Sequence, residues 1–215
     1  MAKKFVASYS GGKDSILALH RAVKQGGGLV ALITTYNTDQ NRSWFHGLPK
    51  TVLKCVAESL NTESWLIETT GDKYAQNFEK KLLFAKERGA EVCVFGDIDI
   101  KEHRQWCMKR CESVGIEAMF PLWNENRKRL VYEFIENDFV ATITVVDTTR
   151  LSEDFLGVEL TKEVVNQIEL SGADICGENG EYHTFVSNGP IFKIPIEFSL
   201  DKKMIVDDYA ILSME

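Results

Sequence analysis

The chain has 215 residues, 44% of them hydrophobic and 27% charged, with a formal net charge of −7. This length suits one sizeable core, or a main domain with a smaller appendage, and the acidic balance argues against an extensive nucleic-acid surface. No segment approaches a membrane-spanning length, and the apolar run after Met1-Ala2-Lys3-Lys4 is too brief for a signal-peptide core, so a cytoplasmic protein with no membrane partner is expected.

The first apolar run, 5–8, reads as a buried strand, and 15–24 as an amphipathic helix carrying Ile16, Leu17, Leu19, His20 and Val23 at helical spacing. Between them lies Ser10-Gly11-Gly12-Lys13-Asp14-Ser15. Two adjacent glycines let the backbone turn sharply and approach a ligand closely. The helix that follows offers unpaired N–H groups and the positive end of its dipole to an anion. Lys13 adds a cation, and Ser10 and Ser15 add hydroxyl donors. The segment is a phosphate cradle. It is not a Walker loop, because Ala7 and Asp14 stand nearest the places where that loop needs a glycine and a Ser or Thr.

Further strands are expected at 29–36, 64–68, 92–95 and 116–120, alternating with helices at 14–25, 49–60, 73–88 and 101–114. Pro49 suits a first helical turn, and Gly26 and Gly89 fall just past helix ends. Strand alternating with helix predicts a parallel sheet covered on both faces, with right-handed crossovers. Ligands of such sheets bind outside the carboxyl ends of the strands. Gly96 and Asp97 follow the fourth strand, and Asp97 suits either Mg²⁺ or a helix cap, with Asp99 a weaker candidate. The five cysteines are scattered and odd in number, as reduced thiols are; His103, Cys107 and Cys111 share a helix face but lack a fourth zinc ligand.

After Trp123 the pattern changes. A helix is expected over 129–137, a strand over 140–146, then a polar segment, and late strands near 191–198 and 204–212. The chain is expected to divide into 1–125, the domain that carries the phosphate cradle, and 126–215, a smaller α+β substrate domain. The second half carries Cys176-Gly177-Glu178-Asn179-Gly180-Glu181-Tyr182-His183-Thr184-Phe185, unusually dense in distinct polar groups for a surface turn.

Ser10 to Ser15 resembles the PP-loop of ATP pyrophosphatases, which cut ATP between its α and β phosphates. With Ser43-Trp44-Phe45-His46 before the second helix, the 177–184 loop and Gly189-Pro190-Ile191-Phe192, the whole chain resembles the diphthine–ammonia ligase-like branch of that superfamily. The resemblance implies an α/β fold, a Rossmann-like (HUP-type) parallel five-stranded sheet whose first and fourth strands are neighbours. It also implies ATP and Mg²⁺, ammonium as nitrogen source, and a carboxylate acceptor, diphthine on elongation factor 2 or a small molecule. Oligomeric state stays open, with a homo-oligomer among the alternatives. Assigned members typically read Gly-Glu-Gly-Gly-Glu-Tyr/Phe-Glu-Thr in the last motif, where this chain has Asn179 and His183 at the middle glycine and the following glutamate. It also has Glu102-His103-Arg104 where they carry a Tyr-Gln-Arg-like segment. These departures resemble a bacterial branch for which corrinoid amidation in B12 salvage has been suggested.

The chemistry expected is adenylation of a carboxylate with release of pyrophosphate, followed by displacement of AMP by ammonia. The amides of Gly11, Gly12 and Lys13, with Ser10 and Ser15, are expected to hold pyrophosphate, and Asp14 either assists magnesium or caps the helix. His183 or Glu181 is the expected base; His46, Glu178, Asn179, Tyr182 and Thr184 are expected on the acceptor. Two rival readings are a tRNA-modifying adenylating enzyme, which would favour a basic face, and a nucleotide sensor that makes no pyrophosphate.

Overall fold

The computed structural model describes residues 3–44 and 46–214, so Phe45 of the second quoted segment lies outside the described residues. The first half runs β1 (Lys4–Ser8), α1 (Lys13–Lys24), β2 (Gly28–Asn37), β3 (Arg42–Ser43), α2 (Lys50–Ser59), β4 (Glu63–Thr69), α3 (Tyr74–Glu87), β5 (Val92–Val94), α4 (Lys101–Val114) and β6 (Glu117–Met119). Five strands are parallel in the order β4-β2-β1-β5-β6, and two-residue β3 folds back antiparallel on β2. Strand order therefore reverses between β1 and β5, which puts the loop after each at the crevice where ligands bind in such sheets.

The helical crossovers between parallel strands cover the sheet on both sides, so its central strands β1 and β5 are buried on both faces. Phe5 and Ala7 of β1 enter one core, with Leu17, Leu19, Leu53 and Val56 of α1 and α2. Val6 enters the opposite core, with Phe78 and Leu82 of α3 and Cys107 and Cys111 of α4. This is the period-two alternation of a strand read from both sides, so an unbroken apolar run is what it requires. Gly26 and Gly89 take φ of 87° and 91° just past α1 and α3, as expected of glycines that end helices. Pro49 sits one residue earlier than expected, at the N-cap of α2.

The second half contains α5 (Arg127–Glu136), β7 (Val140–Asp147), α6 (Lys162–Leu170), β8 (Tyr182–Asn188), β9 (Leu200–Val206) and β10 (Tyr209–Met214). Its sheet is antiparallel, ordered β8-β7-β10-β9. Three expectations are corrected. The polar segment after β7 holds α6, started by the Thr161 hydroxyl, which accepts from the Val164 amide, and fastened by buried Val165 and Ile168. The expected late strand at 204–212 is two strands joined at Asp207, where φ is 52°. Residues 191–198 form no strand, since Pro190 and Pro195 remove ladder donors. They make a strap instead: the Lys193 amide donates to the Ser59 carbonyl at 2.9 Å, and the Ile196 amide to the Ser187 carbonyl at 2.8 Å.

The two sheets share one core, in which Leu17 and Leu19 of α1, Leu122 of the connecting turn, Leu130 and Phe134 of α5, and Phe185 of β8 belong to a single buried cluster. Arg21 pins the seam. Its guanidinium donates to the Pro121 carbonyl at 2.7 Å, to Glu125 at 2.6 Å and, through Nε, to Glu133 at 2.9 Å. No helix among the described residues is long and apolar enough to cross a membrane. Because a half-buried arginine that loses its place leaves two carboxylates unpaired, Arg21→Ala should destabilise the protein by about 3 kcal/mol, measured by urea unfolding.

Candidate active site

The loop after β1 opens α1 with no side-chain cap at Gly12. Its turn is possible because Gly11 adopts φ 101°, with the Leu48 side chain 2.3 Å from where a Cβ would stand. The loop is stitched internally: the Ser15 hydroxyl donates to the Gly12 carbonyl at 2.9 Å, and the Gly12 amide donates to Ser10 Oγ at 3.3 Å. From the second half, Thr184 Oγ1 accepts from the Lys13 amide at 3.1 Å, and the Val186 amide donates to the Gly11 carbonyl at 3.0 Å. Strand β8 thus docks directly on the loop.

A cleft of about 280 Å³ opens here, lined from the first half by Ser10, Gly12, Lys13, Asp14, Ser15 and His46. Gly96, Asp97, Ile100 and His103 line it from beyond β5, and Glu178, Tyr182, His183 and Thr184 from the second half. Gly96 is required for closeness, since a Cβ there would stand 2.8 Å from the backbone of Asp14 and Ser15. The same argument applies at Gly12, whose missing Cβ leaves room for the His46 ring 2.6 Å away.

Lys13 is buried. Its ammonium donates to Asp14 Oδ2 at 2.8 Å and to the Cys176 carbonyl, and it lies 5.4 Å from the centre of the Tyr182 ring. Burial alone would lower its pKa, but Asp14, Cys176 and Tyr182 together outweigh that and hold it well above the ordinary lysine value. Asp97 is pushed up by burial and by the Asp14 charge, against the partial relief of His103 at 3.8 Å. The two imidazoles, 4.9 Å apart centre to centre, are kept neutral by burial, His46 well below its usual pKa and His183 at about 4. The His46 Nδ1 lies 2.9 Å from the Thr184 carbonyl, so the neutral ring donates there and keeps its Nε2 lone pair free. Burial, the Asp14 charge and Asp99 raise Glu178 to about 7, against the pull of Lys13 and Arg127.

The comparisons with known proteins match this architecture in both halves. A family model described as the diphthamide synthase N-terminal domain matches residues 3–118, and one described as the diphthamide synthase C-terminal domain matches residues 126–215. The chain belongs to the diphthamide synthase family. A diphthine–ammonia ligase of Homo sapiens is 26% identical over 234 residues, covering 97% of this chain and 85% of that protein. One of Saccharomyces cerevisiae is 27% identical, covering 88% of this chain and 33% of that protein. Among solved structures, a predicted subunit of tRNA methyltransferase from Methanocaldococcus jannaschii aligns at a TM-score of 0.48 and 16% identity, over 90% of this chain and 100% of that one.

In this diphthamide synthase family member several site expectations are altered by the geometry. The Lys13 amide, expected on pyrophosphate, is spent on Thr184, and Thr184, expected on the acceptor, locks the loop. Tyr182 shows the cleft its ring, while its hydroxyl donates to the Ile175 carbonyl at 2.6 Å. Glu181 is absent from the lining: it is buried and accepts from the Asn179 amide at 3.1 Å and its side-chain amide at 3.2 Å. Asn179 is exposed, outside the cleft, and its carbonyl accepts from Arg150. Both stand off the cleft, where each satisfies the other's polar groups. Asp99 takes a bidentate grip from Arg127, 2.7 Å on both oxygens, which occupies its carboxylate and lowers its pKa. Cys107 and Cys111 are core residues, whereas His103 turns to Asp97. Among the described residues no group of three or more His, Cys, Asp or Glu side chains is placed to hold a metal ion.

Sequence reasoning missed the brace behind the second motif. Arg127 bridges Asp99 and Asp174, and the two oxygens of Asp174 accept from the amides of Cys176 and Glu178 at 3.1 and 3.2 Å. Only the acid-then-glycine rhythm of 174–180 could have hinted at it. Two outcomes are expected. Gly96→Ala, which forces the loop after β5 off α1, should weaken nucleotide binding at least tenfold in a titration while the protein still folds. The unfolded imidazole of His183 takes up a proton near 6.5 and the folded one only at about 4, so the unfolded state binds more protons in between. Stability should therefore fall by on the order of 2 kcal/mol as pH drops from 6.5 to 4. His183→Asn should flatten that decline in urea unfolding curves.

Proposed function

We propose that the chain is an ATP-dependent carboxylate–ammonia ligase of the diphthine–ammonia ligase type, forming AMP and pyrophosphate. The single observation that carries this reading is the cleft itself. The uncapped start of α1 and buried Lys13 face a loop from the other half of the chain that brings the Glu178 carboxylate and the His183 imidazole to the cleft. On this reading residues 1–125 supply the ATP site and 126–215 the acceptor site.

The residues fit a triphosphate. Gly11 and Gly12 let Leu48 and the His46 ring pack where a Cβ would stand, and helix geometry leaves the first-turn amides of Asp14 and Ser15 without intrahelical partners. Lys13 offsets charge on the departing pyrophosphate from a position already fixed by Asp14 and the Cys176 carbonyl. Asp97, raised by burial and without an arginine or lysine partner among the described residues, suits one face of a magnesium ion. Magnesium, when bound, supplies Lewis-acid neutralisation of phosphate oxygens. Holding a carboxylate in line with the α-phosphorus is a positioning task, and the loop from the second half closes the cleft on that side.

The acceptor carboxylate attacks the α-phosphorus, and pyrophosphate leaves. Ammonia then attacks the acyl carbon, and AMP leaves. The names of the relatives favour diphthine as the acceptor, and the family resemblance implies that it is carried on elongation factor 2. The test is incubation with ATP, Mg²⁺, ammonium chloride and diphthine-bearing elongation factor 2. Acceptor-dependent AMP, pyrophosphate and a new amide are expected; ADP with orthophosphate, or AMP formation indifferent to the acceptor, would reject the reading. Lys13→Ala and Asp97→Asn should each lower acceptor-dependent pyrophosphate release by about 100-fold or more with the circular dichroism spectrum retained.

A further inference from the structure

Three carboxylates line the cleft: Asp14, Asp97 and Glu178. Two are engaged. Asp14 pairs with the Lys13 ammonium at 2.8 Å, and Asp97 faces His103 at 3.8 Å, with the Cys107 thiol 3.9 Å away. The carboxylate of Glu178 accepts no hydrogen bond among the described residues. Its backbone is nevertheless held hard, since the Glu178 amide donates to Asp174, which Arg127 grips in turn. A carboxylate on a braced loop, lining the cleft and left without a partner, is free to take a cationic or proton-bearing ligand.

The surroundings narrow the ligand. His46 and His183 line the same cleft as uncharged rings, and the donated Nδ1 proton of His46 leaves its Nε2 as an acceptor. Acceptors grouped with an unpaired carboxylate suit a small ligand carrying N–H bonds on every side. Ammonium has that chemistry, and a neutral imidazole does not repel it.

We infer that Glu178 is the residue that binds ammonium and takes its proton, delivering ammonia to the activated acid. This rests on the ligase reading above. One N–H bond breaks and its proton passes to the Glu178 carboxylate. The freed nitrogen lone pair forms the C–N bond at the acyl carbon, and the C–O bond to AMP breaks with its electron pair on the phosphate oxygen. The second proton leaves the nitrogen to water, and Glu178 releases its own proton to solvent before the next turnover. The charged groups that face Glu178 are Asp14 and Lys13 from α1, Asp99 from the loop before α4, and Arg127 from α5. Their balance with burial places its pKa at about 7, where a carboxylate both holds a proton and gives it up at neutral pH.

The test separates the two half-reactions in Glu178→Gln and Glu178→Asp. With diphthine-bearing elongation factor 2, acceptor-dependent exchange of pyrophosphate into ATP reports adenylation, and amide formation reports amine attack. Glu178→Gln should keep exchange within about threefold, lose about 100-fold in amide formation from ammonium chloride, and recover to within about fivefold with hydroxylamine, which is largely unprotonated at neutral pH. Glu178→Asp should retain part of the ammonium rate. An equal loss with ammonium and hydroxylamine, a loss expressed as a higher KM for the acceptor, or an unchanged ammonium rate overturns the assignment. Absence of exchange in the unaltered protein overturns the ligase reading and this inference with it.

Discussion

The structure depends on the docking of β8 against the loop that opens α1. Two backbone groups of that loop, the Lys13 amide and the Gly11 carbonyl, are satisfied by Thr184 and Val186 rather than by solvent. The lysine that follows the glycines is then carried inward, against the Cys176 carbonyl and the Tyr182 ring. A buried ammonium is tolerated only where acceptors surround it, and here one comes from its neighbour Asp14 and the rest from the other half of the chain. The glycines, the short reach of Thr184 and the brace at Arg127 all serve this one constraint.

The parallel sheet was legible because its strands carry unbroken apolar runs and its helices carry their apolar faces at regular spacing; the runs around Val6, Ile33 and Val94 leave little choice. The second half was less legible. Helix α6 is short and started by Thr161 within a polar stretch, so its apolar face shows only at Val164, Val165 and Ile168. The 191–198 strap looked like a strand because its residues are apolar, yet they pack onto α2 and β8 without a ladder. Composition cannot distinguish these outcomes.

The site was partly readable in the same way. Glycine, lysine and hydroxyl residues at a strand-to-helix junction state their chemistry locally. Within the dense motif of the second half, however, sequence could not separate Glu178 from Glu181. The two acids are three residues apart, but one faces the cleft and the other is consumed by Asn179. That difference comes from where the loop turns at Gly177 and Gly180, with φ of 65° and 90°, and no residue type announces it. Burial then does the rest of the tuning, holding imidazoles neutral and lifting carboxylates in one small volume.

The bond from the Lys13 amide to Thr184 spans 171 positions of the chain. A nascent polypeptide therefore exposes its glycine-rich turn and the apolar flank of α1 long before their cover has been synthesised. Contacts this remote close late and slowly, so the cleft is finished at the end of folding rather than at its beginning. Half-made copies carry the recognisable loop but not the pocket, whose far wall waits for the last third of the polypeptide to come home.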